Sequence, residues 1–166
     1  MFTTIKILAF DQARCGAWSI FDSNDKLLLS WGEWSFPARK YEFSRAVYEI
    51  TRIAKDLILA KDIEVVFIED TQLRQNAQSF KKLAQLQGAL INLFESFAVP
   101  YESVPPTRWQ SYCGARSKAQ SMEFVHSQFG IETDNDNLAD AICIGWYAVN
   151  HMETNGCSSK EIPREN

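Results

Sequence analysis

The sequence predicts an α/β domain with a mixed sheet flanked by helices, and three observations predict it. Three strand-like stretches follow one another at the N-terminus, at residues 5–11, 15–22 and 26–34. A fourth, at residues 64–69, is reached only through a long helical stretch, which makes it parallel to an earlier strand. Two further helical stretches close the chain. The 166 residues, 46% of them apolar, suit one domain with a real core.

The first strand, Ile5-Lys6-Ile7-Leu8-Ala9-Phe10-Asp11, is an apolar run that ends on an acid. The second strand leads into Ser23-Asn24-Asp25, a turn cluster that makes the first three strands an antiparallel meander. In residues 41–61, Phe43, Val47, Ile50, Ala54, Leu57 and Ile58 recur at helical spacing. Val65-Val66-Phe67-Ile68-Glu69-Asp70 is then a short buried strand with two acids at its end. A carboxylate inside such a strand would be costly, so the acids belong where the strand emerges. Asp70 should point away from Glu69 if the strand continues.

Residues 76–97 form the longest helix, with Asn76 as its cap. Leu83, Leu86, Leu90, Leu93 and Phe97 make a seam that packs on the sheet or, alternatively, between two copies of the chain. A fifth strand at residues 99–104 ends at Pro105-Pro106, and a short helical turn covers residues 107–112. There Trp109 and Tyr112 are expected to pack, with stacking on bases as the alternative. Ser117 starts and Gly130 stops the next helix, and the last spans residues 134–150 with acids at its N-terminal end. The domain is expected to end near residue 152, with residues 153–166 a polar tail.

Composition excludes several classes. No apolar run reaches about 18 residues, so no membrane span is expected. Residues 1–6 lack a signal-peptide pattern, and Cys15, Cys113, Cys143 and Cys157 make no zinc spacing, so free thiols in a cytoplasm are the simplest account. The net charge of −4 argues against a uniform nucleic-acid binder, but its distribution matters more. No acid occurs between residues 71 and 94, which hold Arg74, Lys81 and Lys82, or between 104 and 120, which hold Arg108, Arg116 and Lys118. With Gln75, these are the candidate DNA contacts; phosphate contacts of this kind position DNA without reading it.

With the first and fourth strands adjacent, Asp11 and Glu69 sit side by side at the strand ends, where a ligand crevice is expected. Asn137-Leu138-Ala139-Asp140-Ala141-Ile142 repeats the pattern of acid in an apolar segment on the last helix. Carboxylates gathered this way repel one another unless a cation joins them. Two metal ions about 3.5–4 Å apart can both activate a water and stabilise a leaving oxygen in phosphodiester hydrolysis. Mg²⁺ suits an all-oxygen set.

The order strand-Asp, strand-Glu, helix-Asp resembles the ribonuclease H-like nucleases, and among them the RuvC-type Holliday-junction resolvases. Ile7-Leu8-Ala9-Phe10-Asp11 and Phe67-Ile68-Glu69 look like the two catalytic strands. Asn76-Ala77-Gln78-Ser79-Phe80-Lys81-Lys82-Leu83-Ala84-Gln85-Leu86-Gln87-Gly88 is similar to the helix that follows the catalytic Glu. Ser117-Lys118-Ala119-Gln120 and Ala139-Asp140-Ala141-Ile142 match as well. The resemblance implies a five-stranded sheet in the order 3-2-1-4-5 and Mg²⁺ (Mn²⁺ substituting) held by Asp11, Glu69 and Asp140. It also implies Lys118 as a catalytic cation at the scissile phosphate, a homodimer, and cleavage of four-way junctions and forks to 5′-phosphate and 3′-hydroxyl ends.

The sequence departs from the family in places. Asp11-Gln12-Ala13-Arg14 replaces the usual Asp–Gly turn. A fourth acid often lies three residues before the last; here that place is Asn137, and either Asn137 or Asp136 is the candidate replacement. The loop Asp70-Thr71-Gln72-Leu73 lacks the family's aromatic residue. The pattern looks most like phage-borne relatives, which act on branched DNA broadly in a bacterial host's cytoplasm. The rival readings are a junction-binding protein without catalysis and a nuclease of the same fold acting on RNA–DNA hybrids.

Overall fold

The computed structural model describes residues 4–72 and 76–152. Its elements run β1 (Lys6–Asp11), β2 (Cys15–Asp22), β3 (Leu27–Ser35), α1 (Phe43–Lys61), β4 (Val65–Glu69), α2 (Ala77–Ser96), β5 (Tyr101–Val104), α3 (Pro106–Cys113), α4 (Lys118–Phe129) and α5 (Asp136–His151). The sheet order is β3-β2-β1-β4-β5. β1 and β2, and β2 and β3, pair antiparallel; β1 and β4, and β4 and β5, pair parallel. Every expected element is present, with ends moved by a residue or two.

The moved ends have local causes. Lys26 is not the start of β3 but a left-handed turn residue, and Asp22 Oδ1 accepts the Asn24 and Asp25 N–H groups at 2.8 and 3.3 Å. α1 begins after Tyr41, because Arg14 draws the preceding loop in. Its Nη1 donates to the carbonyls of Phe36 and Tyr41 at 3.2 and 2.9 Å. Asn76 caps α2 by accepting from Gln78 and Ser79, Ser117 caps α4 through Gln120, and Gly130 ends α4 in the left-handed conformation.

The strand period of two gives the sheet two apolar faces. Leu8, Phe10, Ile20, Trp34, Val66 and Ile68 face α1 and α2. Ile7, Ala9, Ala17, Phe21, Phe67 and Val104 face α3, α4 and α5. The α2 seam packs on the sheet, but its buried stripe is Leu86, Leu90 and Phe94 rather than the full expected set. Leu83 opens on a crevice, and Phe97 is the C-terminal cap residue.

α5 is buried on most sides, from Leu138 to Val149. It lies so close to β2 that a Cβ on Gly145 would come within 2.6 Å of both the Phe21 ring and Ser19 Oγ. The Ser19 hydroxyl donates to the Ala141 carbonyl at 2.7 Å. Among the described residues no helix is long and apolar enough to cross a membrane, and Cys15, Cys113 and Cys143 are free thiols.

Candidate active site

Because β1 and β4 are parallel neighbours, their C-terminal ends coincide. Phe10 and Ile68 are the last paired residues, so Asp11 and Glu69 emerge together. Each lies two residues beyond a side chain, Ala9 or Phe67, that faces α5, and α5 brings Asp136 and Asp140 to the same face. A crevice of about 640 Å³ opens at these strand ends, lined by Asp11, Gln12, Glu69, Asp70 and Thr71, with Phe80 and Leu83 of α2 opposite; Asp136 and Asp140 lie outside its lining. Asp70, which strand alternation directed away, lines this crevice too, since β4 ends at Glu69.

Glu69 is held at both ends. The Gln12 side chain, buried just past β1, donates through Nε2 to the Glu69 carbonyl, and its Oε1 accepts the Glu69 N–H at 3.2 Å. The amide thus extends the β1–β4 ladder by one side chain. The Glu69 carboxylate accepts from Trp109 Nε1 at 2.9 Å. Trp109 therefore packs, as expected, but with its polar edge on the site. The loop after Glu69 is fastened by Gln87, whose Oε1 accepts the Thr71 N–H at 3.2 Å and whose Nε2 donates to Ser103 Oγ at 3.3 Å.

The electrostatics are those of acids crowded together. Burial pushes the Asp11 carboxyl well above the usual carboxylate range, and Glu69, Asp140 and Asp136 push it further, with Lys118 opposing them. Burial raises Asp140 to about 6; the Ser121 hydroxyl opposes this, Asp136 adds to it and Lys118 opposes it. Ser121, fully buried, is also 3.0 Å from the Lys118 carbonyl, and its single proton serves one acceptor at a time. Lys118 Nζ lies 2.8 Å from Asp136 Oδ2, and the hydrogen bond to Asp136 is the first cause that raises the Lys118 pKa.

The two candidates for the fourth acid's place separate. Asp136 acts electrostatically on both Asp11 and Asp140. Asn137 lines a second cleft with Cys15, Glu33, Trp34, Ser35 and Asn135, away from the residues of the crevice. Arg108, Arg116, Lys81 and Lys82 are exposed on α3, before α4 and on α2. Lys82 also lies over the Phe43 ring, 6.0 Å from its centre. Arg74 and Gln75 lie outside the described residues. Gln12, Gln87 and Ser121 join the site only through contacts made in the fold, and no sequence pattern marks them.

The residues fit a hard divalent cation. Every donor is an oxygen, and Asp11 is raised first by burial and then by the neighbouring carboxylates, both of which a cation would offset. Among the described residues no three His, Cys, Asp or Glu side chains form a ready-made cage. Mg²⁺ does not require one, since water and substrate oxygens complete its shell around one or two carboxylates.

No family model matches the sequence, and no curated protein does. Solved structures match strongly. Thermus thermophilus RuvC, solved in complex with a Holliday junction substrate, superposes with a TM-score of 0.69 at 14% identity, over 86% of this chain and 91% of that one. The yeast mitochondrial Holliday junction resolvase Ydc2 gives 0.61 at 16% identity, over 92% and 83%. Fowlpox virus resolvase, solved with Holliday junction DNA, gives 0.59 at 15% identity, over 88% and 97%. The likeness runs over most of each of those chains, and this chain, with its sheet order β3-β2-β1-β4-β5, shares their fold.

Proposed function

We propose that this chain is a metal-dependent endonuclease that cleaves branched DNA, four-way junctions among its substrates. The observation that carries the reading is that Asp11 and Glu69 line one crevice while Asp140 acts electrostatically on Asp11 beside it, in a fold shared with junction resolvases. These three would hold Mg²⁺, with Mn²⁺ able to replace it, and Asp136 would join them when Lys118 turns away. The metal, when bound, supplies a nucleophilic water and charge for the departing 3′-oxygen.

The chain's own groups do the rest. Asp11 and Glu69 stand on the ends of central strands and are held rigidly there. Asp140 is fixed by the buried α5. Lys118, exposed and tied only to Asp136 among the ion pairs of the described residues, is placed to turn towards a phosphate oxygen and offset charge that develops there. Arg108, Arg116, Lys81 and Lys82 would take backbone phosphates, joined by Arg74 and Gln75. A two-fold dimer suits this activity, because paired nicks in a symmetric junction need two equivalent sites.

The rival is a junction-binding protein without catalysis. The observation in its favour is that Asp136 is already paired with Lys118 while Asn137 sits in another cleft. Strand nicking of a labelled four-way junction, a Y-fork and a linear duplex in Mg²⁺ separates the two. Paired junction nicks with 5′-phosphate ends, lost in Glu69→Gln, are the expected result. Junction binding by wild type with no nick in Mg²⁺ or Mn²⁺ would promote the rival.

A further inference from the structure

Trp109 is 1% exposed, in the middle of the short helix α3. A buried indole N–H needs an acceptor, or the donor is left desolvated and unpaired. In a purely structural setting a backbone carbonyl serves. Trp34 shows this, its Nε1 donating to the Ala13 carbonyl at 2.8 Å. Trp109 instead donates to Oε2 of Glu69 at 2.9 Å, an acid at the mouth of the crevice. Gln12 meanwhile grips the main chain of the same residue.

We infer that Trp109 is a positioning residue for Glu69, fixing the plane and reach of its carboxylate for a divalent cation. The inference rests on the nuclease reading above. A glutamate side chain has three rotatable bonds, and ordering it at the moment of metal binding would cost conformational entropy. A directed N–H···O bond from a rigid, packed ring orders it on folding instead. Partners of this kind, one layer behind the ligands, orient them and keep them in the ionised form that binds metal. α3 is well anchored for the task. Pro106 begins it, Gly114 ends it in the left-handed conformation, and Cys113 Sγ contacts the Cys143 carbonyl of α5 at 3.6 Å. Trp109 therefore also ties the β4 acid to the helix that carries Asp140.

The test removes the donor without removing the ring. Benzothienylalanine at position 109 keeps the bicyclic shape and replaces N–H by sulfur; Trp109→Phe is the encodable counterpart. Mn²⁺ affinity is read by electron paramagnetic resonance without DNA, and the metal concentration for half-maximal nicking is read alongside. Both are expected to weaken by about 10- to 100-fold, with thermal stability of the isostere and junction binding in EDTA held at the wild-type level. In a Glu69→Gln background the same replacement should change Mn²⁺ affinity little, because its acceptor's metal role is already gone.

Unchanged Mn²⁺ affinity in the folded isostere, beside a wild type that binds Mn²⁺ and nicks, overturns this inference alone. An equal loss in both backgrounds also overturns it, since that is the mark of a packing role. A wild type that neither binds Mn²⁺ nor nicks overturns the nuclease reading, and this inference with it.

Discussion

At Asp11, burial and three neighbouring carboxylates all favour the protonated form, so the metal-free site stores repulsion. Asp11→Asn should therefore abolish cleavage yet stabilise the metal-free protein, because it removes a buried group whose charge its neighbours oppose. Urea unfolding in EDTA checks this, and a lower midpoint for the variant would contradict it. Asp140 gives the same effect a pH window. Its folded pKa, raised to about 6, lies above the ordinary value of 3.8. The folded state therefore holds its proton more tightly than the unfolded state. That contribution is fully present below the ordinary value and is lost as pH rises through about 6. It amounts to at most about 3 kcal/mol for a shift of this size. Thermal unfolding of metal-free protein should thus show Asp140 destabilising the fold at pH 7.5 relative to pH 4. Mg²⁺ should raise the melting temperature more at pH 7.5 than at pH 5, and Asp140→Asn should flatten both trends. Of these residues, Asp11, Glu69 and Asp140 are legible in the chain as acids at the ends of apolar runs. Gln12, Trp109 and Ser121 are not, because a polar group's partner across 57, 40 or 19 residues leaves no local pattern.

At the scale of elements, α5 decides whether the acids meet. Its seat against β2 depends on Gly145 and on the Ser19 bond to the Ala141 carbonyl. Gly145→Ala forces a methyl towards the Phe21 ring and should cost about 1–3 kcal/mol, as overpacked cores do. Cleavage should fall as well, since any outward shift of α5 carries Asp136 and Asp140 with it. Urea midpoints and nicking rates of the variant test both parts; wild-type values for each would show that the helix can slide without consequence. Element identity was readable from period and caps: Asn76, Ser117 and Gly130 stand where the helices start and stop. Which leucines of α2 are buried was less readable. A seam with steps of 3 and 4 offers two adjacent stripes, and the curved fit over Leu8, Phe10 and Ile68 selects Leu86, Leu90 and Phe94.

Over the whole molecule, net charge and the proposed function pull in opposite directions, since on that reading a chain at −4 would hold a polyanion. The arrangement resolves this. The carboxylates are drawn together where a divalent cation would offset them, while Lys81, Lys82, Arg108 and Arg116 stay exposed on the elements around them. Junction affinity should fall linearly on a log–log plot against salt. Lys81→Ala and Arg116→Ala should each reduce that slope by roughly one and weaken all branched substrates alike. A fluorescence titration at several salt concentrations decides this; an unchanged slope would remove the residue from the DNA path. Sequence alone determined the element order, the parallel β1–β4 pairing and three acids, because hydrophobic period and the cost of burying a carboxylate act locally. Tertiary structure alone decided that Asp136 rather than Asn137 reaches the other acids, that Asp70 joins the crevice, and that Gln12 and Trp109 grip Glu69. Those outcomes depend on the rotation of α5 and the stopping point of β4, which are set by packing between segments far apart in the chain.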